Sequence, residues 1–323
     1  MILVVGGAGY IGAHITKKLY EQGYDTLVFD NFSTGHHSFI QWGDFFQGDL
    51  RHLDDLKRCF KTYSITAVVH TAALSIVPDS LKNPQDYYDN NVIGTFNLLT
   101  VMKKYNVDTF IFSSTCAVYG DVQMQPISEE TSCHPITPYG QTKRMIELML
   151  HDFHFAYGLR YISLRYFNAI GADPSGKIGE KHDPETHLIP LCFKAVQENK
   201  PLTVYGTDYD THDGTCIRDY CHVNDIAMAH ILGIKQLELR NCSGCYNLGV
   251  GNGYSVKEVI AAVEKVTKKK VPIQWGKRRD GDVARLQAKP DKIYTTLNWQ
   301  PEYIKLEENI NTAWQWFKGS HYA

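Results

Sequence analysis

Apolar residues along the chain fall into two alternating rhythms. Short apolar runs at Ile2–Val5, Thr26–Asp30, Ala67–Ala72, Thr109–Ser114 and Tyr161–Tyr166 predict strands, with a weaker strand at Asp44–Gly48. Longer stretches with helical spacing separate them: Ile11–Gln22, Leu53–Lys61, Asn91–Tyr105 and Lys143–Tyr157. Strand–helix–strand alternation predicts an α/β fold with a doubly wound parallel sheet. Ligands of such sheets bind beyond the carboxyl ends of the strands. From about Gly171 the rhythm breaks, and Gly, Pro and His are frequent through Gly171–His187. Helical patterns return at Leu188–Gln197, Asn224–Lys235 and Ser255–Val266. The expected organisation is a dinucleotide-binding Rossmann domain over 1–170 and a smaller α/β substrate lobe over 171–323, with 224–249 able to rejoin the first.

Composition narrows the function classes. A formal net charge of −2 offers no basic surface for nucleic acid or an anionic membrane. No run approaches the roughly 18 apolar residues of a membrane span. The first residues pass directly into an apolar strand, which fits a mature cytoplasmic protein. The eight cysteines are scattered, and the pattern favours reduced thiols over a disulfide framework. Cys242-x-x-Cys245 has the spacing of half a zinc site, with no second pair at a suitable distance, so no metal is expected.

Candidate chemistry begins at Gly6-Gly7-Ala8-Gly9-Tyr10-Ile11-Gly12, which follows one strand and opens a helix. Glycine permits the sharp turn and the close approach of a pyrophosphate, and the helix N-terminus offers unbonded N–H groups. Asp30 ends the second strand, where a ribose-binding acid belongs. Its carboxylate would repel a 2′-phosphate, and no arginine adjoins it in sequence, so NAD is expected over NADP.

Tyr139 and Lys143 stand at i and i+4, one face of a helix. A phenol with pKa ~10 is a poor base at neutral pH, and lowering it to ~7 requires about 4 kcal/mol of differential stabilisation. An ammonium and an oxidised nicotinamide in a low-dielectric cleft are the expected sources. Ile111-Phe112-Ser113-Ser114-Thr115 is an apolar strand ending in three hydroxyls, which would lie at the carboxyl edge of the sheet.

With these strings the chain resembles the extended short-chain dehydrogenase/reductase family, most closely its nucleotide-sugar 4-epimerases. Further matches are Tyr87-Tyr88-Asp89-Asn90-Asn91-Val92, Val118-Tyr119-Gly120, Pro138-Tyr139-Gly140, Arg165-Tyr166-Phe167-Asn168, Arg218-Asp219-Tyr220 and Tyr246-Asn247-Leu248-Gly249, so the likeness spans nearly the whole chain. The resemblance implies C4 epimerisation of a UDP-hexose through a 4-keto intermediate: UDP-glucose with UDP-galactose, and the N-acetylated pair as a further substrate class. It implies Tyr139 as base, Lys143 as its modulator and ribose anchor, and Thr115 as the hydroxyl holding O4. It places NAD against Gly6, Gly9, Tyr10, Ile11, Gly12, Asp30, Asn31, Asp49, Leu50, Ala72, Asn90, Tyr139, Lys143 and Tyr166.

For the UDP-sugar, the resemblance adds Asn168, Leu188, Tyr205, Arg218, Arg279 and Asp282 to Thr115 and Tyr139, with Leu286 as a wall of the hexose pocket. Relatives restricted to plain hexoses tend to carry tyrosine at the Leu286 position. Taken alone, the two arginines read better as surface ion pairs and Tyr205 as a packing residue, while Leu286 reads equally well as core packing. A homodimer is the family expectation. Ser75 departs from a lysine that many relatives carry near the pyrophosphate. Family 4,6-dehydratases place Asp-Glu after the threonine, and UDP-glucuronate decarboxylases carry glutamate at the Ala117 position; here Cys116 and Ala117 follow Thr115. A UDP-glucuronate epimerase would need one further carboxylate-binding cation. A non-catalytic dinucleotide-binding protein would have no need of the tyrosine, lysine and hydroxyl set.

Overall fold

The computed structural model describes residues 1–239, 242–279 and 281–319. The first half runs β1 (Ile2–Val5), α1 (Tyr10–Glu21), β2 (Thr26–Asp30), β3 (Asp44–Gln47), α2 (Leu53–Thr62), β4 (Ala67–His70), α3 (Val77–Lys82), α4 (Pro84–Tyr87), α5 (Gly94–Lys104), β5 (Thr109–Thr115), α6 (Pro138–Tyr157) and β6 (Arg160–Tyr166). The second continues β7 (Asn168–Ile170), α7 (Leu188–Glu198), β8 (Leu202–Tyr205), β9 (Ile217–His222), α8 (Val223–Leu239), β10 (Gly244–Leu248), β11 (Gly253–Ser255), α9 (Val256–Thr267), β12 (Ile273–Gly276), β13 (Arg285–Leu286), α10 (Asp291–Leu297) and α11 (Leu306–Lys318).

Seven parallel strands form the central sheet in the order β10-β6-β5-β4-β1-β2-β3. The chain reverses direction of travel across the sheet between β1 and β4, which opens a crevice at their carboxyl ends. β1, β2, β4 and β5 are buried at every position, because helices cover both faces. One face packs Ile2, Val4 and Val69 against Ile15 and Leu19 of α1 and Ile231 and Ile234 of α8. The other packs Leu3, Val5 and Val68 against Leu56 of α2, Leu98 and Met102 of α5 and Ile146 of α6. Each such aliphatic side chain stabilises the fold by about 1.5–3 kcal/mol, so an aspartate at Val4 would break the sheet locally.

Two boundaries differ from the sequence expectation. The helix expected from Lys143 begins at Pro138, with Thr137 capping it by accepting from Gly140 N at 3.2 Å. The helix expected from Asn91 is preceded by a π-type turn over Tyr88–Ile93. There Asn91 turns inward to bond Leu74 N, Leu74 O and the Thr142 hydroxyl. Beyond β6, strands β7, β9, β11 and β13 form a small sheet, and β8 pairs with β12. A separate core around Phe193, Val259, Val263 and Ile310 supports this region.

Candidate active site

A cavity of about 810 Å³ lies beyond the carboxyl ends of the central strands, between them and the smaller sheet. Gly6, with φ +83°, starts the turn after β1. A Cβ on Gly12 would stand 2.1 Å from Gly6 O, so the first turn of α1 closes on the loop only because that side chain is missing. Asp30 fixes the loop from below: it accepts Ala8 N at 3.0 Å and Phe32 N at 2.8 Å, while burial raises its pKa. Asn31 donates to Asp49 at 2.9 Å, and Asp49 is clasped by Arg51 through two bonds of 2.7 and 3.0 Å. That clasp holds the Asp49 carboxyl well below its usual range. Arg51 thus reaches Asn31, the residue after Asp30, through Asp49, which it engages along one edge of its guanidinium.

Strand β5 carries Ser113, Ser114 and Thr115 to the edge of the cavity, and each hydroxyl has a separate task. Ser113 bonds the Tyr166 hydroxyl at 2.8 Å, which in turn meets His230 Nε2 at 2.6 Å. Ser114 donates to Glu147 at 2.7 Å. Thr115 accepts from Ala117 N at 3.1 Å, and its hydroxyl acts on the Tyr139 phenol in the direction that lowers its pKa. On α6, Tyr139, Lys143 and Glu147 follow at i, i+4 and i+8, so all three face β5. Glu147 holds Arg165 through two bonds of 2.8 Å, and Arg165 continues to Tyr119 at 2.7 Å and Tyr119 to Asn247 at 2.7 Å. Sequence reasoning missed Glu147. The i+8 extension of the Tyr139/Lys143 face was the available signal.

The electrostatics of the chain's own groups oppose a phenolate at neutral pH. Burial raises the Tyr139 pKa above its ordinary value, and the Thr115 bond only partly opposes this. Lys143 lies just behind the cavity, donating to Ser113 O at 2.8 Å, and burial lowers its pKa to about 7 against the opposing charge of Glu147. Its ammonium stands 6.0 Å from the Tyr139 ring centroid. The chain's own groups therefore do not bring the phenol toward neutrality; the desolvation of both groups outweighs their attraction.

Every other residue expected at the site lines the cavity. Gly6, Gly9, Tyr10, Ile11, Gly12, Asp30, Asn31, Asp49, Leu50, Ala72, Asn90 and Tyr166 form one part of its wall, and Ser75 is among them. Thr115, Tyr139, Asn168, Leu188, Tyr205, Arg218, Arg279, Asp282 and Leu286 form another. Asp282 sits 3.0 Å from Arg279 and 3.9 Å from Arg218, and the Arg279 guanidinium lies 4.9 Å over Tyr205. Leu286 pairs with Arg218 across β13 and β9, and it also packs against the cluster of Cys116, Tyr119 and Phe167. Asp219 between these elements accepts three backbone N–H groups, from Val250, Gly251 and Ala288. Glu180, His182, Glu185 and His187 also line the cavity, a group that sequence reasoning did not single out.

A Rossmann sheet, a glycine turn closed by Asp30 and a hydroxyl–phenol–lysine set at the end of β5 define a dinucleotide-dependent enzyme of the short-chain type. The chain belongs to the NAD dependent epimerase/dehydratase family, whose model matches residues 2–249. It is 48% identical over 318 residues to the UDP-glucose 4-epimerase of Halalkalibacterium halodurans, covering 98% of this chain and 95% of that protein. The crystal structure of UDP-glucose 4-epimerase from Brucella ovis in complex with NAD superposes with a TM-score of 0.94 at 46% identity, covering 98% of each chain. The UDP-Glc/GlcNAc 4-epimerase of Campylobacter jejuni superposes with a TM-score of 0.84 at 38% identity, again covering 98% of each.

Proposed function

We propose that this chain inverts the C4 configuration of a UDP-hexose, interconverting UDP-glucose and UDP-galactose with NAD. The single observation that carries the reading is that Thr115 and Tyr139 line the same cavity as the glycine loop, Arg218 and Arg279. The residues fit a dinucleotide: the α1 N-terminus faces a turn that no Cβ fills, and Asp30 closes β2 beside it. Gly9, Tyr10, Ile11 and Gly12 would take the pyrophosphate, Asp30 a ribose, Asn31, Asp49 and Leu50 the adenosine side, and Ala72, Asn90, Lys143 and Tyr166 the nicotinamide half. When bound, NAD supplies a hydride acceptor at C4 and a positive charge near the phenol.

Tyr139 takes the proton of the C4 hydroxyl as hydride leaves C4, and Thr115 holds that oxygen. Lys143 alone does not suffice for the phenolate that precedes this step; the positive charge of a bound oxidised nicotinamide would add the remaining stabilisation. Arg218 and Arg279 fork onto the diphosphate, which draws both away from Asp282, and Asp282 then accepts from a sugar hydroxyl. Asn168, Leu188 and Tyr205 fix the nucleotide, so the 4-keto sugar turns about its diphosphate link while UDP stays in place. Hydride returns to the other face, and Tyr139 gives its proton back to O4. Net redox change is zero. Dehydration is disfavoured because burial pushes the Cys116 thiol up to about 12 and Ala117 carries no acid.

The test is product analysis with UDP-galactose and UDP-glucose in the absence of added dinucleotide. Either substrate should give the same mixture. A folded, NAD-replete protein that leaves both unchanged would refute the reading.

We also infer a homodimer in a reducing, cytoplasmic setting. Ile93 and Phe96 near the start of α5, with Leu148 and Phe155 of α6, are large apolar side chains each left 48% or more exposed. Phe96→Glu should convert the species seen by light scattering to a monomer. The described residues contain no disulfide, and no helix among them is long and apolar enough to cross a membrane.

A further inference from the structure

The segment Glu180-x-His182-x-x-Glu185-x-His187 gathers four ligand-type side chains immediately before α7. One ligand atom from each lies within 4.8 Å of all the others. The close separations are His187 Nδ1 to Glu180 Oε1 at 3.0 Å and to Glu185 Oε1 at 3.1 Å. His182 Nδ1 stands 3.5 Å from Glu180 Oε1 and 3.6 Å from Glu185 Oε2. A four-coordinate ion with bonds of about 2.0–2.2 Å sets its ligand atoms roughly 3.4 Å apart. The observed distances straddle that edge length.

A purely hydrogen-bonded cluster accounts for these residues less well. One imidazole N–H on His187 could serve both carboxylates. His182 Nδ1, however, is buried, makes no hydrogen bond, and points between the same two carboxylates at distances too long for one. The backbone holds the group ready. Glu185 Oε1 accepts Thr186 N and His187 N at 2.8 and 2.9 Å. Trp316 Nε1 donates to Glu180 O at 2.9 Å, and a Cβ on Gly179 would strike the Trp316 ring at 2.4 Å.

We propose that Glu180, His182, Glu185 and His187 bind one divalent first-row transition ion of the zinc class. Two imidazole nitrogens select such an ion over magnesium or calcium. Four protein ligands make the site structural rather than hydrolytic. Its position explains a use: the ion clasps the irregular 171–187 segment one residue before Leu188, on the cavity wall proposed to hold the nucleotide. Sequence reading expected no metal because it weighed only the Cys242 and Cys245 pair; the loop geometry is what brings these four residues together.

The test uses full-length protein without a polyhistidine tag, dialysed against a chelator and titrated with zinc chloride alone. Mass spectrometry should find about one zinc per chain. Tm should rise by about 5 °C at a zinc concentration a hundred times Kd. Cobalt(II) should give the visible absorption of a four-coordinate ion. His182→Asn should fold, as far-ultraviolet circular dichroism can verify, and bind zinc at least ten-fold more weakly. Glu185→Gln provides a second variant should the first misfold. No zinc in the parent protein, no rise in Tm, or equal zinc binding by the parent and folded variants would each leave the four residues a charge cluster only and overturn the assignment.

Discussion

Replacing Glu147 with glutamine tests the buried support of the catalytic helix. Glu147 has a side-chain exposure of 0% and its partner Arg165 4%. The carboxylate accepts two bonds of 2.8 Å from Arg165, one of 2.7 Å from Ser114 and one of 3.2 Å from Arg144. Glutamine keeps the shape but turns an amide N–H₂ against a guanidinium that cannot lose its proton. Breaking a buried pair from one side costs about 3–5 kcal/mol. At about 2 °C per kcal/mol for a chain of this size, Tm should fall by roughly 6–10 °C. Turnover carries a second signature. The Glu147 charge opposes the burial that lowers Lys143 to about 7, so its removal lowers that pKa further. Loss of kcat in Glu147→Gln should therefore grow as pH rises from 6 to 8. The double variant Glu147→Gln/Arg165→Met should recover most of the lost Tm and none of the altered pH profile. A Tm drop of less than about 2 °C, or a kcat ratio flat with pH, would refute this reasoning.

Other expectations follow from the same geometry. Lys143→Met should raise Tm most below pH 7 and progressively less toward pH 10, read as variant minus parent by thermal denaturation. The folded pKa of about 7 lies below the unfolded value of about 10.4. The unfolded chain therefore binds more protons in that window, and the parent's stability rises with pH there. Asp30→Ala should weaken NAD and narrow the gap to NADP in direct binding, while a parent that prefers NADP would contradict the role given to Asp30. UDP-GlcNAc should be turned over, and Leu286→Tyr should depress that activity more than activity on UDP-galactose. The kcat/KM ratio of the two substrates reads this directly.

The Rossmann half was legible because its signals are local. β1, β2 and the glycine loop appear as apolar runs bounded by residues of known conformational habit, and Asp30 lies where the strand must end. Pattern reading began α6 at Lys143, five residues late. Its first turns carry Gly140, Gln141 and Thr142, and the true start is marked by the Thr137 cap and Pro138 rather than by apolar spacing. The Glu147–Arg165 pair was invisible because β6 brings the two together across 18 residues. The pKa directions were also beyond the sequence. The i, i+4 spacing of Tyr139 and Lys143 shows that they share a face, whereas the burial of both shows which effect wins. The Glu180–His187 group depends on loop coordinates alone.

The central claim is that C4 loses and regains the same hydrogen as hydride, with Tyr139 moving the O4 proton. Its most direct test is conversion of UDP-galactose deuterated at C4, with the product examined by mass spectrometry and proton NMR. The parent protein should give UDP-glucose that keeps the label at C4. Tyr139→Phe, folded and still binding UDP-sugar, should turn over about 10²–10⁴-fold more slowly. Product that has exchanged its C4 deuterium with water, or normal turnover in Tyr139→Phe, would contradict the account.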